Sequence, residues 1–186
     1  MSVFWLATRA TGELSLVLLT AVVVLGIATA RGWAHERWPE AVVTLLHRNV
    51  SLLSVVFLAV HIGTTVLDGF VPIGWIDVVI PFAQSYRTLW VGLGTVAFDL
   101  LVTVIVTSLL RHRIAPRAWK LVHLLSYLLW AVAIVHGLGA GTDRVLTRAV
   151  AAAMVMIVLI TLAVRALTPH RADDPSVSVA RTRVPR

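Results

Sequence analysis

The chain has 186 residues, 59% of them hydrophobic, and a mean hydropathy of +0.90, values typical of an integral membrane protein rather than a soluble domain. It contains no cysteine, which excludes disulfides, thiolate metal ligation and iron–sulfur clusters. The net charge of +7 comes from arginines that fall between apolar runs, where they set membrane topology, so we expect no nucleic-acid partner.

Five apolar runs are each long enough to cross about 30 Å of hydrocarbon. They predict an all-α fold, a polytopic membrane helix bundle of about five transmembrane helices in contact with lipid. In chain order these helices are predicted at Leu14–Ala30, Leu45–Leu67, Thr88–Leu110, Trp119–Gly139 and Val145–Leu167. We expect residues 1–168 to form one transmembrane domain and residues 169–186, rich in Pro, Ser, Asp and Arg, to form a disordered cytoplasmic tail.

The connection Asp68–Arg87 differs from the other loops because it has Gly and Pro before an apolar middle and Pro after it. It is too short to span a bilayer and too apolar to lie in water. We therefore predict a re-entrant or interfacial segment between the second and third helices, lying over the helix ends as a lid. Trp75 and Trp119 are interpreted as residues of the interfacial aromatic belt.

Positive charge predicts the orientation of the helices. Twelve of the sixteen Lys and Arg residues fall on one side: the first and third loops and the C-terminal segment. The positive-inside rule then puts the N-terminus outside and the C-terminus in the cytoplasm of a plasma, or bacterial inner, membrane. Cleavage of the first helix as a signal peptide after Ala28-Thr29-Ala30 would reverse that count, so we expect this helix to be retained.

Four histidines lie inside the apolar runs, where an imidazole is costly and needs a partner. His47 and His61 are 14 residues apart on the second predicted helix, and His123 and His136 are 13 apart on the fourth. Each pair therefore spans roughly 20 Å along its helix. These two helices run parallel, so His47 is level with His123 near the cytoplasm, and His61 with His136 nearer the outside. Facing imidazoles at each level can ligate one iron from both sides, which predicts two stacked haems.

The angular test leaves alternatives open. A spacing of 14 residues returns to within about 40° of the same helix face, but 13 residues leave about 140°. A local irregularity in the fourth helix, or haems reached from different flanks of it, is needed. A single haem, four structural histidines, and a metal-ion site remain as other interpretations. The last requires ligands within about 4 Å of each other, which two levels roughly 20 Å apart do not provide.

The paired spacings on alternating helices, H-x13-H and H-x12-H, resemble the ferric reductase-like transmembrane family. That family includes NADPH oxidases, yeast-type ferric reductases and the haem subunit of the bacterial periplasmic methionine sulfoxide reductase system. The resemblance covers about Trp5–Leu167 and extends to the basic loop before His123 and the VHGLG text that begins at Val135.

The resemblance implies two b-type haems, an inner one held by His47 and His123 and an outer one held by His61 and His136. Unlike NADPH oxidases and ferric reductases, this chain carries no FAD and NADPH domain. We therefore expect electrons to come from a separate donor, either a flavoprotein reductase or quinol.

Haem propionates are anions and need cations or helix N-termini. Arg48 directly follows His47, and Lys120 lies three residues before His123, both on the predicted inside. Arg9 is on the predicted outside. These three residues are candidate propionate partners, with simple snorkelling to lipid headgroups as the alternative.

The expected function is transmembrane electron transfer from a cytoplasmic or quinol donor to an extracytoplasmic acceptor, which makes the chain an oxidoreductase component. One alternative is a haem-binding subunit of a larger periplasmic reductase, in which a partner protein does the catalysis. A membrane transporter without haem and a non-catalytic assembly factor are the others.

Overall fold

A computed structural model describes residues 2–30, 39–69, 71–141 and 144–167. The basic residues Arg31 and Arg37 of the first loop and the predicted tail, residues 169–186, lie outside the described residues.

The regular elements in the described part of the chain are all helices, and that part contains no strand. The helices are α1 Val3–Ala30, α2 Glu40–Leu67, α3 Trp75–Val79, α4 Thr88–Leu109, α5 Pro116–Ala140 and α6 Arg144–Leu167, with one 3-10 turn at Arg111–Arg113. All except α3 are long and apolar enough to cross a membrane. The predicted fold class, an all-α bundle with five transmembrane helices, is confirmed.

Helix α1 begins at Val3, eleven residues before the predicted start at Leu14. Hydropathy locates the apolar run but does not detect the polar helical turns that precede it. In those turns the Arg9 guanidinium lies 4.9 Å from the Trp5 ring centre and 4.0 Å from the Glu13 carboxylate, one turn further on. Local pairs of this kind stabilise a helix without adding hydrophobicity.

Helix α5 begins at Pro116, three residues before the prediction, because proline fits the first turn, where no N–H is needed. It then continues as one unbroken α-helix to Ala140. The local irregularity considered for this helix is therefore absent from it.

The long helices pack as two antiparallel pairs, α1 with α2 and α4 with α5, and α6 closes the bundle against α1 and α5. The buried core lies between α1, α5 and α6 and includes Ile27, Ile134 and Val158. Within it the Trp130 indole donates a hydrogen bond of 2.9 Å to the Thr20 hydroxyl. Among the described residues, direct contact between the backbones of α2 and α5 is sparse, which leaves room between these two helices.

The connection between α2 and α4 contains the short helix α3, which packs on α4. The Thr95 hydroxyl donates to the backbone carbonyl of Asp77 at 2.8 Å. The Phe82 ring lies so close to Gly92 that any Cβ there would overlap it. Arg87 donates to the last carbonyls of α5, those of Gly139 and Ala140, at 3.2 Å each. These contacts tie the connection to the same end of α4 and α5.

Candidate cofactor site

The four histidines of α2 and α5 face each other in two pairs. The ring centres of His47 and His123 are 6.4 Å apart with an interplanar angle of 65°. Those of His61 and His136 are 6.5 Å apart at 78°. The earlier histidine of each helix thus meets the earlier one of the other, so α2 and α5 run in the same direction.

Both separations match what one metal ion between two imidazoles requires. A metal–imidazole nitrogen bond is about 2.0 Å long, and ring geometry adds about 1.15 Å from that nitrogen to the ring centre. Two such distances in line put the ring centres about 6.3 Å apart. The observed 6.4 and 6.5 Å therefore fit bis-imidazole ligation, and the residues present suit a haem at each level.

Helix α1 orients the two histidines of α2. Nδ1–H of His61 donates to the Thr8 carbonyl at 2.8 Å, and Nδ1–H of His47 donates to the Val22 carbonyl at 3.1 Å. A carbonyl oxygen only accepts, so the proton of each neutral ring sits on Nδ1 and Nε2 keeps its lone pair. This is the arrangement that metal-binding histidines use to fix their ligating nitrogen.

Helix α4 does the same for α5. Nδ1–H of His136 donates to the Trp90 carbonyl at 2.7 Å. His123 differs, because its Nδ1 lies 3.4 Å from the Ser108 hydroxyl rather than from a backbone carbonyl. A side-chain hydroxyl thus takes the place that a backbone carbonyl has beside the other three rings.

Glycines make these contacts possible and were missed by the sequence analysis. Gly12, Gly26 and Gly94 each lie four residues after a carbonyl that binds a histidine. A Cβ at Gly12 would lie 2.7 Å from His61 Nδ1, and one at Gly94 would lie 2.7 Å from His136 Cε1. At Gly26 the closest approach is 3.4 Å. The sequence carries a signal for them, since Gly12 and Gly26 repeat the 14-residue spacing of His47 and His61.

A cavity of about 470 Å³ lies at the His61–His136 pair and is lined by both rings, by Gly12 and by Gly94. Its volume is in the range of sites that hold cofactors. The connection between α2 and α4 contributes to its wall, which places that segment next to this histidine pair. Polar residues that also line the cavity include Thr8, Arg9, Glu13, Asp68, Asp77 and Tyr86.

The three candidate cations occupy different positions. Arg9 lines the cavity of the His61–His136 pair, with its side chain 27% exposed. Arg48 and Lys120 are exposed and lie close in sequence to the other pair, one residue after His47 and three residues before His123 respectively. Each cation thus lies near one level of the site.

Trp119, interpreted from the sequence as an interfacial-belt residue, instead packs against a histidine of the site. Its ring stacks on that of His123, with centres 5.0 Å apart and an interplanar angle of 25°. Trp75, by contrast, is 63% exposed on α3, as expected of a belt residue.

The family model described as ferric reductase like transmembrane component matches residues 11–134 of the chain. This range is about two thirds of the sequence and includes His47, His61 and His123, while His136 lies two residues beyond it. No curated protein and no solved structure matches the chain.

Replacing Gly94 with Ala tests the role of the glycines. The added Cβ would displace the His136 ring from the Trp90 carbonyl and change the orientation of its Nε2 atom. We expect haem affinity at the His61–His136 level to fall about 10–100-fold, the usual effect of losing such a supporting contact. Haem titration of the purified apo-protein in detergent measures it.

Gly63→Ala is the matched control, because Gly63 also lies in a long helix but nothing is within 4 Å of a Cβ built there. This variant should bind haem as the parent does. Equal affinity in Gly94→Ala and Gly63→Ala would show that the close approach of His136 to α4 has no role in binding.

Proposed function

This chain belongs to the ferric reductase-like transmembrane family, and from that membership and its facing histidine pairs we propose that it carries electrons across the membrane. The electrons enter at the His47–His123 level and leave at the His61–His136 level. The observation that carries the proposal is the pair of ring separations, 6.4 and 6.5 Å, which suit one iron at each level. Two b-type haems would supply the one-electron redox chemistry when bound.

The chain's own residues have three tasks in this proposal. The four imidazoles bind, each through Nε2. The carbonyls of Thr8, Val22 and Trp90 orient three of the rings and hold their protons on Nδ1. The apolar bodies of the surrounding helices exclude water, which favours electron transfer between the two levels over side reactions in solution.

Two imidazoles at each level would hold one haem between them. With both imidazoles engaged, the final acceptor would be reduced at the edge of the site or within a partner protein. This separates the proposal from an oxygen-activating haem enzyme, in which one axial position is kept free.

The proposed direction follows from the distribution of charge. Basic residues concentrate on the side of the His47–His123 level, which the positive-inside rule assigns to the cytoplasm, with the N-terminus outside. The donor is then a cytoplasmic flavoprotein reductase or membrane quinol. The acceptor is an extracytoplasmic substrate, such as a ferric chelate, or a periplasmic partner protein.

The candidate cations would hold haem propionates at the two levels. Arg9 lines the cavity of the His61–His136 pair, and this supports a role there. Arg48 and Lys120 would serve the other level, where their exposed side chains can extend along the helix surface.

Alanine at His61 or His136 should remove one b-type component from the reduced-minus-oxidised spectrum and leave the other in place. The physical reason is that each pair forms a separate level, roughly 20 Å from the other along the helix. Alanine at His47 or His123 should remove the complementary component. His112, exposed in the 3-10 turn, is the matched control, and His112→Ala should keep the full spectrum.

Simultaneous loss of both components in each single variant would contradict two independent levels, provided that the variant still elutes from a sizing column as the parent does. Retention of both components in His61→Ala and His136→Ala would contradict the ligand assignment.

Arg9→Gln tests the propionate proposal at the cavity. Loss of a cation beside an anionic propionate stabilises the oxidised, more positive haem, so the midpoint potential of the His61–His136 component should fall. We expect a several-fold change in the reduction equilibrium, where a tenfold change is about 59 mV for one electron. Potentiometric titration measures it, with Arg148→Gln as the control, since Arg148 is an exposed cation on α6. Equal midpoint potentials in the two variants would contradict the propionate contact and favour an interaction of Arg9 with lipid headgroups.

A further inference from the structure

Trp119 is the aromatic residue stacked on a histidine of the pairs, and its indole nitrogen has no visible acceptor. It lies in the first turn of α5, one turn before His123. Its Nε1 atom is buried and has no hydrogen-bond partner among the described residues. An indole N–H can only donate, and burying it without an acceptor is unfavourable.

Two ordinary explanations do not account for this nitrogen. A tryptophan of the interfacial belt turns its N–H toward headgroups or water, whereas this atom is shielded from both. The fold also supplies an acceptor where an indole is only a packing residue: Trp130, on the same helix, donates to the Thr20 hydroxyl at 2.9 Å. The Trp119 N–H therefore has no acceptor in the described part of the fold, and a bound group would provide one.

We propose that the Trp119 indole donates a hydrogen bond to a propionate of the haem held by His47 and His123, an inference that rests on the proposed function. The stack places the indole beside the imidazole that would hold this haem, and a propionate would supply the hydrogen-bond acceptor that Nε1 lacks. The acceptor is then an anion, which makes the hydrogen bond charge-assisted. Lys120 follows directly in the sequence and adds positive charge at the same end of α5.

This hydrogen bond would raise the midpoint potential of the haem at the His47–His123 level, where electrons enter. A donor on the propionate draws negative charge away from the iron, which disfavours the oxidised form and holds the midpoint potential up. The stack also restrains the plane of the His123 ring, whose other hydrogen-bonding contact, to Ser108, is long at 3.4 Å. Trp119 is therefore a positioning residue that acts through the propionate and through His123.

Trp119→Phe tests the hydrogen bond, because it keeps an aromatic ring for the stack and removes the donor. The experiment is a potentiometric titration of the purified full-length protein, with haem content measured on the same sample. The component that disappears in His123→Ala identifies the level concerned. We expect unchanged haem content and a fall in the potential of that component by about a fivefold to tenfold change in its reduction equilibrium, about 40–60 mV. Trp75→Phe, at an exposed tryptophan, should leave both potentials unchanged.

Unaltered potentials in Trp119→Phe with two haems bound would overturn this inference and leave the proposed function standing. A parent protein that binds no haem would instead overturn the proposed function. If Trp119→Phe loses the haem of this level altogether, Trp119→Gln and Trp119→Leu decide the matter. Better retention by glutamine, which keeps an N–H donor, supports the hydrogen bond, and equal loss in both variants contradicts it.

Discussion

A histidine inside a membrane helix needs a hydrogen-bond partner, since lipid offers none, and this bundle is arranged to supply four of them. Each imidazole of α2 and α5 is held at Nδ1 by the helix behind it, α1 or α4. The opposite nitrogens are thereby turned toward the space between α2 and α5. These contacts hold the four rings in two facing pairs, and a cavity lies at the His61–His136 pair.

Helices α1 and α4 play equivalent parts in this arrangement. Both run antiparallel to the histidine helix that they support, and both present a carbonyl followed four residues later by a glycine. A carbonyl oxygen has two lone pairs, so it can keep its helical hydrogen bond while accepting from an imidazole. The missing side chain at the glycine gives the ring access to that oxygen. The fourth position carries Ser108 where the others have glycine, 14 residues after Gly94, and there the hydroxyl takes the place of the carbonyl.

Much of this architecture could be predicted from the sequence because it depends on strong, periodic signals. Hydropathy located all five spans, and the spacing of His47 and His61 against His123 and His136 indicated two levels between parallel helices. The polar start of α1 was not predicted, because Arg9 and Trp5 stabilise the helix through a pair contact that hydropathy ignores.

The residues that support the site were harder to predict, since their role depends on which helices become neighbours. Gly12 and Gly26 repeat the 14-residue spacing of the α2 histidines, but glycine is common in membrane helices. Their role becomes evident only from the contact between α1 and α2. Trp119 has the position of an interfacial tryptophan in the sequence, and its stack on His123 depends on the side-chain direction within the first turn of α5. The partner of His123 is a serine side chain rather than a backbone carbonyl, a detail that helical periodicity does not encode.

The central proposal is that each chain holds two haems by paired imidazoles. It is supported by membership of the ferric reductase-like transmembrane family, by the two facing pairs and by the cavity at one of them. The most direct measurement combines the haem-to-protein ratio of the purified protein with its low-temperature electron paramagnetic resonance spectrum. The account predicts two haems per chain, both low-spin and both with the signature of two axial imidazoles. A preparation with no haem, or with a high-spin haem that has an open axial position, would contradict it.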